Sequence, residues 1–287
     1  MTGTAGWNPG KNQQSETLMS YTKTRLVLHF PYDKVRMIPV VLAALILLPV
    51  WMYADTPRDM PFNAGDKLYY DIKWGIFKIG EAEMLVEDAG PDFPGELKFV
   101  LLIRTTSWAD TFYRVRNRIE SRTDATISKS YHYSKSQKEG GRKREIVVTF
   151  DWDKNQAQYS NYGDKLEPVE IMENCHDPFS VLFAFRLEDF VLDQHIIIPV
   201  TDGKQTMMTD IEVMARESIK VKAGRFDCLR VRPDLKDLGG VFSKSKDSSM
   251  DIWFSDDNHK LIVKMTSSVS VGSFKVELRK YILGDSH

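Results

Sequence analysis

Apolar and polar side chains alternate along much of the chain after Pro61, and this period of two limits the possible folds more than any other feature. Between residues 67 and 74 the alternation places four apolar side chains on one face, Leu68, Tyr70, Ile72 and Trp74. Three later segments repeat it, 81–87, 146–152 and 274–279. Because successive side chains of a β-strand point to opposite faces, each segment predicts a half-buried strand. Turn-forming pairs such as Gly140-Gly141 separate the segments, which favours hairpins and an antiparallel sheet.

One segment departs from this pattern. Asp177 offers a side-chain cap, and Pro178 suits the first position of a helix. Apolar residues then follow at helical spacing, so the sequence predicts a single helix near 178–189. They occupy nearly the whole circumference, which indicates a helix enclosed on most sides. The predicted fold class is therefore mostly β, an antiparallel curved sheet or open β-barrel that wraps one buried helix.

A second apolar segment lies near the start of the chain and predicts export. Residues 37–54 read MIPVVLAALILLPVWMYA, an apolar helix without charge that follows Lys34 and Arg36. Basic flanks stay in the cytoplasm, so the residues that follow are expected to cross the membrane. Two interpretations stay open, because Ala54 favours a cleaved signal peptide whereas the length also suits a retained inner-membrane anchor. The expected location is periplasmic, either soluble after cleavage or anchored in the inner membrane through 37–54.

The remaining organisation is simple. Residues 1–36 are expected to be a disordered or over-extended leader, because they are polar and lack apolar periodicity. Residues 61–283 are predicted to form a single all-β exported domain, since no Pro-, Gly- or Ser-rich linker divides them. The formal net charge is −1, so no overall positive field attracts nucleic acid, and nucleic acid is not expected as a partner.

Five stretches, taken in order, resemble one known family. They are FNAGDKLYYDIKWGIFKIGEAEM (62–84), HDPFSVLFAFR (176–186), PVTDGKQ (199–205), AGRFDCLRVRPD (223–234) and DIWFSDDNHKLIVKM (251–265). Together they resemble the bacterial exported domain-of-unknown-function family numbered 3108, and more distantly the open-barrel lipoprotein carriers LolA and LolB. The resemblance implies an extracytoplasmic all-β domain with no assigned activity and no catalytic residues to carry over. Phe179 departs from the family pattern, which bears on packing rather than chemistry.

The two cysteines, Cys175 and Cys228, are candidates for a disulfide, because an oxidising compartment permits one. A bridge would close a loop of roughly 50 residues and stabilise the fold by ~4 kcal/mol. Two buried free thiols are the alternative.

No catalytic or metal site is predicted. The six histidines do not share a strand face or helix turn at metal-ligand spacing. The adjacent residues Cys175, His176 and Asp177 point in different directions, so a loop and helix cap is the better interpretation than a catalytic triad. We therefore expect a protein that is not an enzyme and carries no cofactor.

Two groups of side chains are candidates for binding. The first is an aromatic and apolar set that lines a ligand cavity or fills a core, Trp74, Phe77, Phe179, Leu182, Phe183 and Trp253. The second is a basic surface that meets anionic head groups or is simply solvated, Arg114, Arg116, Arg118, Arg142, Lys143 and Arg144.

These observations favour a non-catalytic envelope protein that binds a lipid-like ligand or a lipidated partner, a lipoprotein for example, in the apolar concave side of its sheet. The alternative is a structural protein that maintains envelope integrity through protein partners. An envelope enzyme is the less favoured alternative, because sites are sometimes assembled from distant residues.

Overall fold

Fifteen strands form one antiparallel sheet in the described part of the computed structural model, which covers residues 60–234, 249–269 and 272–285. The predicted leader at 1–36 and the apolar segment at 37–54 lie outside these residues. Among the residues described, no helix is long and apolar enough to span a membrane.

The elements follow one another closely along the chain. The first half contains β1 (Lys67–Trp74), β2 (Phe77–Asp88), β3 (Glu96–Thr105), α1 (Ser107–Asp110), β4 (Val115–Asp124), β5 (Ser130–Glu139), β6 (Arg142–Asp151), β7 (Gln156–Asn161), β8 (Asp164–Lys165) and β9 (Val169–Glu170). The second half contains α2 (Val181–Arg186), β10 (His195–Thr201), β11 (Thr206–Val221), β12 (Gly224–Pro233), β13 (Ser249–Ser255), β14 (Ile262–Val269) and β15 (Gly272–Ile282).

Two meanders make up the sheet. Strands β1 to β8 pair in chain order, strands β10 to β15 do the same, and β15 joins the meanders by pairing with β1. The sheet therefore starts at β10 and ends at β8, with β9 beside β7, and it is not closed. The chain leaves β9 at one edge of the sheet and reaches β10 at the other by way of α2. This confirms the predicted fold class, mostly β with one open antiparallel sheet, although the described residues contain a second short helix, α1, beside the single helix predicted.

The inner face of the sheet is the one that packs against α2. In β2 the alternation buries Ala82, Met84 and Val86 on this face, while Glu83 and Leu85 between them are only partly buried. From β3, Phe99 stacks on Phe183 of α2 with the ring centroids 3.7 Å apart. Burial of large aromatic and aliphatic side chains is the main stabilising contribution of such a core.

The helix α2 is shorter than predicted. The sequence predicted a helix near 178–189, whereas the regular turns run from Val181 to Arg186. The carboxylate of Asp177 explains the start, because its Oδ1 accepts hydrogen bonds from the N–H groups of Phe179 (2.8 Å) and Ser180 (2.9 Å) and holds a separate turn there. At the other end, Leu187 N donates to Ala184 O, three residues back instead of four, and this tighter 3₁₀-type turn ends the helix.

Candidate ligand-binding cavity

A cavity of about 650 Å³ lies between α2 and the inner faces of the two meanders. Helix α2 contributes Val181, Leu182 and Phe185 to its wall. The strands contribute mainly aliphatic and methionine side chains, Ile146, Met207, Ile211, Val231, Met250, Ile252, Phe254 and Met265. Strand alternation explains this lining, since Met207, Thr209 and Ile211 occupy every second position of β11 and so share a face.

Four charged side chains stand at the same cavity: Lys135, Arg144, Asp202 and Lys204. Lys135 lies opposite Ile146 across β5 and β6, and Arg144 is two residues from Ile146, so both cations are on the inner face. The ammonium of Lys204 lies 4.4 Å from the centroid of the Tyr159 ring, a cation–π contact.

Lys135 is the cation most affected by its surroundings. Burial disfavours its charged form and lowers the pKa of its ammonium below the ordinary value. In the described part of the chain neither Lys135 nor Arg144 has an ion-pair partner, although the pKa of Lys135 responds to the charge of Glu139. The cavity therefore combines an apolar interior with positive charge that is not neutralised by direct contacts.

One polar atom inside the cavity also has no partner. The side chain of Thr209 is 5% exposed, and its Oγ1 makes no hydrogen bond in the described part of the chain. A buried hydroxyl without a hydrogen bond is unfavourable, so this position suits a polar group supplied by a ligand or by water.

A buried polar network fixes α2 relative to β4 and β5. The Oδ2 of Asp177 accepts hydrogen bonds from the hydroxyls of Ser121 and Ser130, the latter at 2.8 Å, and Ser130 Oγ is 2.7 Å from Ser180 Oγ. All four side chains are almost completely buried. The network therefore holds one wall of the cavity in place.

The same network brings a histidine near a serine and an aspartate. His176 Nδ1 lies 3.5 Å from Ser180 Oγ, and burial lowers the pKa of the imidazole. Asp177, however, bonds to serine hydroxyls and backbone N–H groups and does not orient the histidine, so the relay of a hydrolytic triad is not formed. The arrangement is the loop and cap that the sequence indicated. The described residues also hold no group of three or more His, Cys, Asp or Glu side chains placed for a metal ion.

Comparison with known proteins identifies the family. Residues 69–279 match the family model "Protein of unknown function (DUF3108)". The chain belongs to the DUF3108 family. No curated protein is similar enough to this chain to count as a relative.

Solved structures are similar to this DUF3108 protein at low sequence identity. A beta-barrel-like protein of the domain of unknown function DUF1849 from Brucella abortus is 10% identical with a TM-score of 0.50, and the match covers 77% of this chain and 98% of that one. A protein from Bacteroides fragilis, described as exported and with a YmcC-like fold, is 10% identical, with a TM-score of 0.34 and coverage of 78% and 98%. A protein from Parabacteroides distasonis described as a lipoprotein is 13% identical, with a TM-score of 0.32 and the same coverage. The first of these supports the β-barrel-like fold.

The predicted cavity residues of the DUF3108 domain lie in four different places. Leu182 lines the cavity. Phe179 and Phe183 are buried in the core below it, with ring centroids 5.5 Å apart. Trp253 alternates with the cavity residues Ile252 and Phe254, so it lies on the outer face, where its Nε1 donates to Glu217 at 2.9 Å.

Trp74 and Phe77 lie outside the cavity, and this part of the prediction is corrected. Both are exposed beside the turn that joins β1 to β2. The pairing of β1 with β2 shifts register between Ile72 and Lys73, because β2 has one extra residue there, Ile79. Trp74 is the last residue of β1, and the alternation that places it on the face of Ile72 does not bury it at the end of the strand. Sequence analysis missed Lys135, Met207 and Met250, since alternation shows that residues share a face but not which face encloses space.

The two cysteines are free, so the disulfide prediction is wrong. Cys175 lies before α2, where its carbonyl accepts from Ser130 N, whereas Cys228 lies within β12 opposite Ser255. Each thiol is close to a neighbouring backbone carbonyl, that of His176 or Phe226. Burial raises the pKa of each thiol to about 12, which keeps both protonated and unreactive.

The predicted basic surface is divided among three places. Arg116 pairs with Asp110 at 2.6 Å, and Arg118 Nε donates to Glu120 at 2.6 Å. Arg144 stands at the cavity. The remaining three, Arg114, Arg142 and Lys143, are exposed near the turn that joins β5 to β6.

Proposed function

We propose that this DUF3108 protein is a non-catalytic extracytoplasmic protein that binds a lipid-like ligand in the cavity beside α2. The observation that carries the proposal is the cavity itself, about 650 Å³ in volume, lined mainly by apolar side chains and bordered by three cations and one carboxylate. Pockets that bind small molecules are commonly about 300 to 1,000 Å³ and mostly apolar, with a few polar groups that orient the ligand.

The lining favours a flexible apolar chain over a rigid planar ligand. Met207, Met250 and Met265 lie around the cavity, and methionine side chains adapt to irregular shapes because they are unbranched. Apolar cavities hold water poorly. An acyl chain that enters one therefore gains the favourable free energy of removing its apolar surface from water, with little bound water to displace.

The charges at the cavity favour an anionic head group on that chain. Lys135 is partly desolvated, and in the described residues neither it nor Arg144 has an ion-pair partner, so a carboxylate or phosphate there would form charge-assisted hydrogen bonds. The ligand class is accordingly an anionic amphiphile such as a fatty acid, a phospholipid or the acylated end of a lipoprotein.

The cellular location forms part of the proposal. The apolar segment 37–54 with its basic flank supports export to the periplasm, and its retention would tether the protein to the inner membrane. An extracytoplasmic protein with an acyl-sized cavity is suited to hold a lipid in an aqueous compartment.

Filling the cavity tests the proposal. Met207→Trp introduces a bulky ring on the inner face of β11, whereas Met208→Trp places the same ring on the outer face, where Met208 is 49% exposed. We expect Met207→Trp to weaken binding of the fluorescent fatty acid cis-parinaric acid at least about tenfold, equivalent to about 1.4 kcal/mol. Wild type and Met208→Trp are expected to bind it equally, at one molecule per chain.

Titration of cis-parinaric acid fluorescence measures these affinities, and thermal unfolding establishes that both variants are folded. If folded wild-type protein takes up no cis-parinaric acid, or if both tryptophan variants bind it as wild type does, the cavity is not the binding site. The alternative of a structural protein with envelope partners would then be favoured.

A further inference from the structure

Six large side chains are exposed together where β1, β2 and β3 end or begin, at one end of the strands. They are 48% to 87% exposed and form what we call the aromatic edge, Trp74, Ile76, Phe77, Trp108, Phe112 and Tyr113. Three belong to the hairpin of β1 and β2, and three belong to α1 and the residues just after it. Isolated exposed apolar residues are common on protein surfaces, but a contiguous group of this kind marks an interaction site.

Direct contacts hold the two halves of the aromatic edge together. Trp108 Nε1 donates to Lys78 O in β2 at 3.0 Å, and Thr106 N donates to Ile79 O at 2.9 Å. The rings of Trp108 and Phe112 meet edge to face, with centroids 6.2 Å apart. The aromatic edge is therefore a continuous surface rather than two unrelated loops.

Folding alone does not explain these residues. Ile76 occupies the turn after Gly75, whose φ of 58° defines a tight reversal, and polar residues are usual at such a position. Ile76 is nevertheless 87% exposed and Phe112 is 83% exposed. Both protrude from the ends of connections instead of lining a groove, which suits insertion into a soft surface more than docking of a rigid protein.

The hairpin of β5 and β6 adds positive charge beside the aromatic edge. The ring of Tyr113 packs against Gly140 in the turn of this hairpin, so closely that a Cβ atom added to the glycine would lie 2.9 Å from the ring. The backbone N–H of Gly140 also donates to Arg114 O at 2.8 Å. Arg114 follows Tyr113 in the chain, and Arg142 and Lys143 follow the Gly140-Gly141 turn. All three are exposed, and within the described residues they have no ion-pair partner.

Two acidic side chains lie on the same elements. Asp110 pairs with Arg116 at 2.6 Å. Glu139 lies opposite Arg142 and keeps its charge, because its hydrogen bond comes from the neutral amide of Asn117. Three cations, Arg114, Arg142 and Lys143, therefore stand beside one such carboxylate, and the net positive charge complements an anionic surface.

We propose that the aromatic edge, together with Arg114, Arg142 and Lys143, docks on the surface of an anionic phospholipid bilayer. Tryptophan and tyrosine favour the boundary between water and the acyl region, because their rings are apolar and carry a polar group. Basic side chains beside them are attracted to anionic head groups, and this attraction weakens as salt is added. The two kinds of residue together bind membranes more strongly than either does alone.

Docking would also orient the cavity. Antiparallel pairing places the turn between β5 and β6 at the same end of the strands as the turn between β1 and β2. Arg144, which stands at the cavity, is two residues from Arg142, so a docked domain brings the charged side of the cavity near the lipid head groups.

Quenching by brominated lipid tests the docking on the full chain. The emission of Trp74 and Trp108 is obtained as the difference between wild type and a Trp74→Phe/Trp108→Phe variant, so an inserted 37–54 segment does not contribute. With brominated phosphatidylglycerol vesicles, we expect this difference emission to be quenched at least about threefold more than with brominated phosphatidylcholine. Ile76→Glu/Phe112→Glu is expected to abolish the quenching.

The matched control places the same charges on an exposed apolar surface elsewhere. Val191→Glu/Ile197→Glu changes two exposed residues near and in β10 and is expected to leave the quenching unchanged. Unquenched difference emission in anionic vesicles, or equal quenching of the two glutamate variants, would overturn lipid docking and leave a protein partner as the occupant. Uptake of cis-parinaric acid by Ile76→Glu/Phe112→Glu should equal that of wild type. A failure of the docking proposal can therefore be distinguished from a failure of the cavity proposal.

Discussion

Replacing Asp177 with alanine is expected to lower the free energy of unfolding by about 4 kcal/mol. The carboxylate is fully buried and accepts hydrogen bonds from two backbone N–H groups and two serine hydroxyls. Each buried donor left without a partner costs about 1 to 3 kcal/mol, although the serine hydroxyls can turn to each other and recover part of this. The loss of stability should be greatest in α2, which forms one wall of the cavity.

Asp177→Asn separates the hydrogen bonds from the charge. The asparagine oxygen can still accept from Phe179 N and Ser180 N, so we expect a loss of only about 1 to 2 kcal/mol. Glu167→Ala, on an exposed connection, serves as the surface control and should change stability by less than about 0.5 kcal/mol. Urea denaturation of the three variants measures these differences, and an Asp177→Ala effect no larger than that of Glu167→Ala would contradict the account.

The second large effect is expected at Arg186, the last residue of α2. Its side chain is 1% exposed, and its Nη2 donates to Pro61 O (3.1 Å) and His259 O (2.7 Å). The guanidinium also lies 4.6 Å from the centroid of the Phe62 ring. Burial lowers the pKa of the guanidinium to about 10, because the charged form loses its hydrating water inside the fold. It therefore links the start of the domain, α2 and the loop before β14.

Arg186→Ala removes both hydrogen bonds and leaves a space among aromatic rings, so we expect a loss of about 3 kcal/mol in the free energy of unfolding. Arg186→Met retains most of the packing and removes the buried charge, and its expected loss is about half as large. Arg118→Ala removes an exposed arginine with an ion pair to Glu120 and should cost at most about 1 kcal/mol. Chemical denaturation that gave Arg186→Ala and Arg118→Ala equal stability would show that Arg186 does not link these segments.

Local patterns in the sequence were sufficient to predict the sheet. The alternation in β2, with Ala82, Met84 and Val86 facing inward, is a property of consecutive residues, and the structure reproduces it. Asp177 and Pro178 likewise marked the entrance to α2. The length of α2 was overestimated, because apolar residues continue past Arg186 while the chain already turns towards β10.

Properties that depend on distant segments were not predictable in the same way. Trp74 ends β1 beside an exposed turn, and the alternation of its strand does not show that the core stops before it. The count of cysteines suggested a disulfide, but Cys175 lies in the connection before α2, beside Ser130 of β5, whereas Cys228 lies in β12, and both thiols are free. The cavity arises because α2 does not fill the space between the two meanders, and that depends on the curvature of the whole sheet.

Native mass spectrometry of protein purified from the producing cells tests the central claim most directly. If the cavity holds a lipid-like ligand, wild type and Met208→Trp should carry an added mass that matches one acyl-containing molecule, and Met207→Trp should carry none. Collisional release and mass determination would then identify an anionic amphiphile. Wild-type protein that is folded and free of any lipid, or an equal lipid load on Met207→Trp, would contradict the claim.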